Sequence, residues 1–215
     1  ELEEVKAELS EWENQKEPQP ERSEAVIRNR QRLDALGIPY QEFYRVIEFG
    51  NNLKEEECNH LEEALLKMGI LDALVIDEQY KEQVLHLEQG CEDHYLFSCK
   101  NVQKELQPGK SLLDVLELNE EVNDIFSNQR LTGILGSIAY DNESMITVAE
   151  DGTYRMGVLA GTVTGEYEAG FLGTKARERH RQAKMEACRQ RIAELKEVLQ
   201  QLEVIRKESH SQTGV

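Results

Sequence analysis

Near the start of the chain the apolar residues Leu2, Val5, Leu9 and Trp12 fall at spacings of three, four and three, the a/d seam of a coiled coil. The pattern predicts a helix over residues 1–17, ended by Pro18 and Pro20. A second helix, rich in Arg and Glu, is predicted over 21–36, with Gly37 and Pro39 as its stop. The period then changes. Phe43-Tyr44-Arg45-Val46-Ile47-Glu48-Phe49 is aromatic and β-branched and predicts a strand, residues 55–68 predict an amphipathic helix closed by Gly69, and residues 71–76 predict a second, more buried strand. Strand, helix and strand in this order predict a βαβ crossover in a helix-covered sheet.

Beyond it, residues 79–87 predict a short helix, 95–98 a short strand and 111–126 one or two helices. Residues 131–140, with two glycines, read either as a turn or as a short buried segment. Met145 to Val148 and Thr153 to Met156 flank an Asp-Gly turn signal and predict a hairpin. Gly157, Gly161, Gly165, Gly170 and Gly173 then punctuate a loop-rich stretch. From Thr174 to Glu208 nothing breaks a helix, and Met185, Cys188, Ile192, Leu195, Leu199 and Leu202 repeat at three, four, three, four, three. This second seam spans roughly 50 Å at 1.5 Å per residue. The two seams satisfy each other if the terminal helices pair antiparallel; the alternative is that each packs on the core of its own domain. The expected organisation is an arm at 1–17, a globular α/β (α+β) module at 21–173, a second arm at 174–208 and a disordered tail at 209–215.

The chain has 215 residues, enough to bury a sizeable core. It opens at Glu1 without a basic, then apolar leader, and no run approaches the length of a membrane span, which reads as a cytosolic piece of a longer protein with no membrane partner. Cys58, Cys91, Cys99 and Cys188 are too scattered for a disulfide framework and read as free thiols. The net charge of -17 opposes a surface that hugs DNA or anionic lipid. Its distribution qualifies that statement. Residues 175–207 hold ten Lys/Arg against five Asp/Glu, net +5, whereas residues 1–174 hold fifteen against thirty-six, net -21.

Catalytic strings are weak. Gly109-Lys110-Ser111 copies the end of a phosphate-binding loop, but Lys104 stands where the first glycine is needed. Leu74-Val75-Ile76-Asp77-Glu78 imitates a magnesium-binding strand, in the reverse of the usual order. Cys91, His94 and Cys99 are close in sequence but fall short of four zinc ligands. No catalytic residue, metal or cofactor is therefore expected. Lys175, Arg177, Arg179, His180, Arg181 and Lys184 form a basic run, of which Arg177, Arg181 and Lys184 share a helix face at i, i+4 and i+7. Lys175, Arg177, Arg181 and Lys184 are the candidate contacts to duplex DNA, expected to be weak; the alternative is a coiled-coil surface pairing with the acidic first arm.

Two blocks of the sequence carry a resemblance. Residues 38–76 include Pro39-Tyr40, the run from Phe43 to Phe49, Leu61-Glu62-Glu63-Ala64-Leu65 and Gly69-Ile70-Leu71-Asp72-Ala73-Leu74-Val75. Residues 152–195 include Tyr154-Arg155-Met156-Gly157, Leu159-Ala160-Gly161, Phe171-Leu172-Gly173, Ala176-Arg177 and Arg191-Ile192-Ala193-Glu194-Leu195. Together they resemble the central part of the MukB-like SMC subunits of bacterial Wadjet plasmid-defence systems, the JetC type. The resemblance implies a hinge through which two subunits dimerise, with ATP-binding heads outside this chain. It also implies a bacterial cytoplasmic complex with kleisin-like and nuclease subunits that extrudes loops of plasmid DNA. The candidate dimer interface is the glycine-rich stretch, Gly157, Leu159, Gly161, Gly165, Gly170 and Gly173, where backbones can approach closely. The opposing class is an adaptor on a coiled-coil scaffold that binds another protein and never meets DNA.

Overall fold

The computed structural model describes residues 1–14, 18–86, 88–97, 109–119 and 128–212. They form two compact units, one of Gln19–Ala176 and one of Glu1–Pro18 with Arg177–Val215.

The terminal unit contains α1 (Leu2–Asn14) and all but the first turn of the long helix that closes the chain. The expected arm residues 15–17 lie outside the described residues.

In the α/β unit, α2 (Glu24–Ala35) starts where Ser23 accepts a hydrogen bond from the Val26 N–H (3.3 Å) and stops at Gly37. Gly37 sits at φ +66°, and the Ile38 N–H returns to the Leu33 carbonyl (3.0 Å), the left-handed cap that glycine takes without strain. Arg22 and Arg30 then fasten this segment inward. Arg30 reaches Asp72 (3.0 Å) and Asp93 (3.1 Å), and Arg22 reaches Asp72 (2.6 Å) and Glu42 (3.3 Å).

The run from Phe43 to Phe49 is not one strand. Preceded by β1 (Tyr40–Glu42), it divides into a helical turn α3 (Phe43–Val46) and β2 (Ile47–Phe49). A strand buries alternate side chains, but Phe43, Tyr44, Val46 and Ile47 are all buried, and a helical turn directs them inward together. The backbone partners follow suit: Phe43 N–H donates to the Ala73 carbonyl and Tyr44 N–H to that of Leu71. The helix α4 (Glu55–Lys67) forms as expected, and β3 (Leu74–Ile76) follows it. The expected βαβ crossover is absent, because β3 pairs antiparallel with β1 while β2 pairs antiparallel with the later β5.

A 3-10 turn (Glu78–Tyr80) runs into α5 (Lys81–Leu85), and β4 (Tyr95–Leu96) joins β3 in parallel. The helices expected over 111–126 are replaced by a 3-10 turn (Leu112–Asp114) and β5 (Leu116–Leu118); residues 120–127 lie outside the described residues. Leu112, Val115 and Leu116 are spaced like a helix face, but the β2 edge supplies a ladder that Leu116–Leu118 completes. The uncertain stretch at 131–140 is α6 (Asn128–Gly136) leading to β6 (Ala139–Tyr140). The predicted hairpin is present as β7 (Ile146–Val148) and β8 (Tyr154–Met156), and β9 (Leu159–Gly161) extends it. The sheet order is β6-β7-β8-β9, with β6 parallel to β7 and the other pairs antiparallel.

The main core gathers Phe43, Tyr44, Ile47, Leu61, Leu65, Leu131, Leu135, Val148 and Leu172; a smaller one under α2 holds Leu33, Ile38, Leu74, Ile76 and Val84. The chain ends with α7 (Thr174–Gln212), whose first N–H and hydroxyl, from Thr174, both donate to Glu48. No helix among the described residues is long and apolar enough to cross a membrane.

Candidate functional site

Within the terminal unit α1 and α7 run antiparallel. The rings of Trp12 and His180 meet edge to face at 6.0 Å, Arg181 donates to the carbonyls of Trp12 (3.1 Å) and Glu13 (3.0 Å), and eleven residues along α7 from His180 Arg191 pairs with Glu1. Leu2, Val5, Leu9 and Trp12 are half-buried, as are Ile192 and Leu195; Met185 and Cys188 are buried. Leu199 and Leu202, further along the same stripe, are about half exposed at 46% and 56%. A thirteen-residue helix is marginal alone in water, so α1 owes its persistence to this stripe and to the cap on its carbonyl end.

The same geometry removes two of the four candidate DNA contacts. Arg177 is 3% exposed, and Arg181 is spent on the last carbonyls of α1. The i, i+4, i+7 face expected to present three cations to phosphate is therefore not an open surface. Lys175 and Lys184 remain exposed.

The glycine-rich stretch divides in two. Gly157, at φ +61°, and Val158 form the two-residue turn between β8 and β9, with Met156 opposite Leu159. The Gly157 N–H donates to the Met145 carbonyl (2.6 Å), which brings Met145 beside the turn. Val158 is fully exposed, Met145 68% and Leu159 57%, so an apolar tip stands on the edge strand of the four-stranded sheet. Any side chain at Gly161 would run into Tyr154 Oη. Gly165 is exposed, but Gly170 and Gly173 are buried within the chain's own fold and cannot line an interface.

What holds Gly170 inward is Glu62, the first of two adjacent glutamates that composition disguises as a solvated acidic face. Glu62 of α4 is fully buried. Its Oε1 accepts from Tyr167 Oη (2.7 Å), Gly170 N–H (2.7 Å) and Phe171 N–H (3.1 Å), and its Oε2 from Leu172 N–H (2.7 Å). Glu63 accepts from the N–H (3.1 Å) and hydroxyl (2.9 Å) of Thr164, and Asn59 accepts from the Ala169 N–H (2.9 Å). Burial pushes the Glu62 carboxyl above its ordinary range, the donors only partly offsetting it, and burial together with the Glu62 charge raises the Tyr167 phenol. The sequence signal for this was the interruption of an apolar run, Leu61-Glu62-Glu63-Ala64-Leu65, by two acids.

The catalytic strings resolve into structural roles. Ser111 caps its 3-10 turn, its N–H donating to Asp114 (2.7 Å), and Lys104 lies outside the described residues. Asp77 accepts from the Gln79 N–H (3.0 Å) and pairs with Arg130. His94 packs its ring beside Gly69, and Cys99 lies outside the described residues. Among the described residues no three His, Cys, Asp or Glu side chains gather as a metal centre would require.

No protein-family model matches the chain, and no curated protein matches it. Among solved structures, a Pyrococcus furiosus Smc hinge domain with an extended coiled coil is similar at 19% identity and a TM-score of 0.38, over 98% of this chain and 83% of that one. An asymmetric dimer of the Geobacillus stearothermophilus SMC hinge domain is similar at 13% identity and a TM-score of 0.43, over 99% of this chain and 91% of that one. The folded elbow of cohesin is similar at 12% identity and a TM-score of 0.39, over 99% of this chain and 33% of that one.

Proposed function

We propose that the chain is the hinge module of an SMC-like protein, through which two copies self-associate and from which a pair of helical arms runs. The observation that carries this reading is the antiparallel pairing of the two chain ends: α1 and α7 meet along one apolar stripe although 159 residues separate Asn14 from Thr174. A chain that leaves along one helix and returns along its neighbour, with an α/β unit of residues 19–176 between, is the arrangement an arm folded back at a hinge requires.

Self-association is placed at β9. An edge strand offers unpaired backbone donors and acceptors, and its exposed tip of Met145, Val158 and Leu159 gives a second copy apolar surface to cover. Of the expected interface residues, Gly157, Leu159 and Gly161 fit this edge. The finer reading follows the two sequence blocks: a MukB-like subunit of a Wadjet-type system in the bacterial cytoplasm, non-catalytic in this segment. ATP turnover is assigned to heads elsewhere in the protein, and loop extrusion on plasmid DNA to a complex with kleisin-like and nuclease subunits.

One observation favours an adaptor that never meets DNA. The unit of residues 19–176 holds 14 Lys/Arg against 29 Asp/Glu, net -15, and two of the basic candidates are engaged. The deciding measurement is sedimentation at tens of micromolar with wild type and the Val158→Asp, Leu159→Asp double variant. A wild-type dimer that the variant dissociates, with unchanged circular dichroism, supports the hinge reading. A monomeric wild type overturns it.

A further inference from the structure

Residues 162–173 join the exposed strand β9 to the first turn of α7 and contain no helix or strand. Such a connection ordinarily behaves as a loop, its backbone groups hydrated. Here five of its N–H groups are taken up by one face of α4, on which Asn59, Glu62 and Glu63 stand at i, i+3 and i+4. Asn59 takes the N–H of Ala169, Glu62 those of Gly170, Phe171 and Leu172, and Glu63 that of Thr164. Both glutamates are buried, and the hydrogen-bond partners of the Glu62 carboxylate are donors from this one segment, with no Lys or Arg among them. A surface glutamate on an acidic helix needs no such arrangement, and a core helix of the same shape would be better served by leucine. Val163 adds an apolar anchor, packed so closely on Gly152 that no side chain fits there.

We propose that Glu62 and Glu63 form a carboxylate latch that holds residues 163–172 as a strap, and that release of the strap weakens self-association at β9. The second half rests on the reading of β9 given above; the latch itself does not. The coupling is mechanical. The strap starts two residues past β9 and ends two residues before α7, so its docking limits how far the edge strand can follow a movement of the helix. Glu62 acts here as a positioning residue, since it touches the strap and not the partner.

The test is amide hydrogen exchange by mass spectrometry on the whole chain, beside sedimentation, for wild type, Glu62→Gln and Glu63→Gln. An amide side chain offers one acceptor where the carboxylate offers two, so the donors on Oε1 and Oε2 cannot all be kept. Glu62→Gln is expected to raise exchange at residues 169–172 by about tenfold or more while α4 and the β7–β8 hairpin stay protected. Glu63→Gln is expected to act at residue 164 alone. The dimer dissociation constant of Glu62→Gln is expected to rise by about tenfold or more. Unchanged exchange at 169–172 overturns the latch, and a loosened strap with an unchanged dissociation constant overturns the coupling. A monomeric wild type removes the reading of β9, while the exchange comparison still decides the latch. Should Glu62→Gln fail to fold, Glu62→Asp keeps the charge on a shorter stem. It is expected to loosen the same four residues less, and wild-type exchange there would equally overturn the latch.

Discussion

Met185→Ala isolates the energy of the arm pair. Met185 is the most enclosed large apolar side chain along the α7 stripe beside Cys188, and alanine leaves the propensity of α7 intact, so the loss falls on pairing. Truncating a buried Met to Ala costs about 2–5 kcal/mol in a closed core; a two-helix seam is open on its flanks, which places the expected loss near about 2 kcal/mol. That corresponds to about a thirtyfold shift toward undocked α1. Undocked, a helix of thirteen residues does not persist in water, so splaying also costs most of the helicity of Leu2–Asn14. Trp12 is the chain's one tryptophan and stands on the seam against His180, so its fluorescence reads pairing without a label. The expected result is red-shifted emission, easier quenching by acrylamide and faster amide exchange over residues 5–14, with exchange over 176–184 unchanged. Emission and exchange equal to wild type would refute the pairing as the source of α1 stability.

Four further outcomes are expected. Binding of duplex DNA should be micromolar or poorer at low salt, with a log–log salt slope no steeper than about -2 from the two exposed lysines, and should vanish in the Lys175→Glu, Lys184→Glu variant; a slope near -5 would reveal a wider basic surface. Ser111→Ala should cost about 1 kcal/mol in urea unfolding through loss of its cap, and added ATP with magnesium should change neither protein's midpoint. Tyr40 and Tyr140 are pushed up to about 12 by burial, chiefly, against 10.0 for an exposed phenol. The folded state therefore holds these protons longer than the unfolded one, so their contribution is complete below pH 10 and lost toward pH 12, which denaturant midpoints at pH 9 and 11.5 will register. Gly37→Ala should cost about 1 kcal/mol through left-handed strain alone, since its surroundings are open, and a cost near zero would contradict the cap geometry.

Periodic, locally punctuated segments were legible in the sequence. The α1 and α7 seams, the stop at Gly37, helix α4 and the Asp-Gly hairpin all depend on neighbours within a turn or a two-strand ladder. What failed depended on distant partners. The strand read across Phe43 to Phe49 breaks because Ala73 and Leu71 supply its backbone acceptors, and the helix read at Ser111 yields to a ladder with Ile47–Phe49. The same limit hid the most enclosed carboxylate. Glu62 is followed by Glu63 in a helix beginning with three glutamates, and nothing local distinguishes the one that meets residues 167–172, more than a hundred positions away. The basic run erred in the opposite direction, since charge and spacing do not reveal that Arg181 caps a helix from the far end of the chain.

The ion cluster of Arg22, Arg30, Glu42, Asp72 and Asp93 bears on how the protein can be dissected. Arg22 and Arg30 sit ahead of β1, and the three anions lie on β1 (Glu42), just ahead of β3 (Asp72) and just ahead of β4 (Asp93). A shortened chain beginning at Ile38 would keep every strand of the sheets and the Arg45–Glu42 pair (3.6 Å), yet leave Asp72 and Asp93 without the arginines that neutralise them, a severe penalty for an enclosed carboxylate once its partner is gone. The smallest autonomous fragment accordingly starts ahead of Arg22, close to the boundary that sequence patterning sets at residue 21.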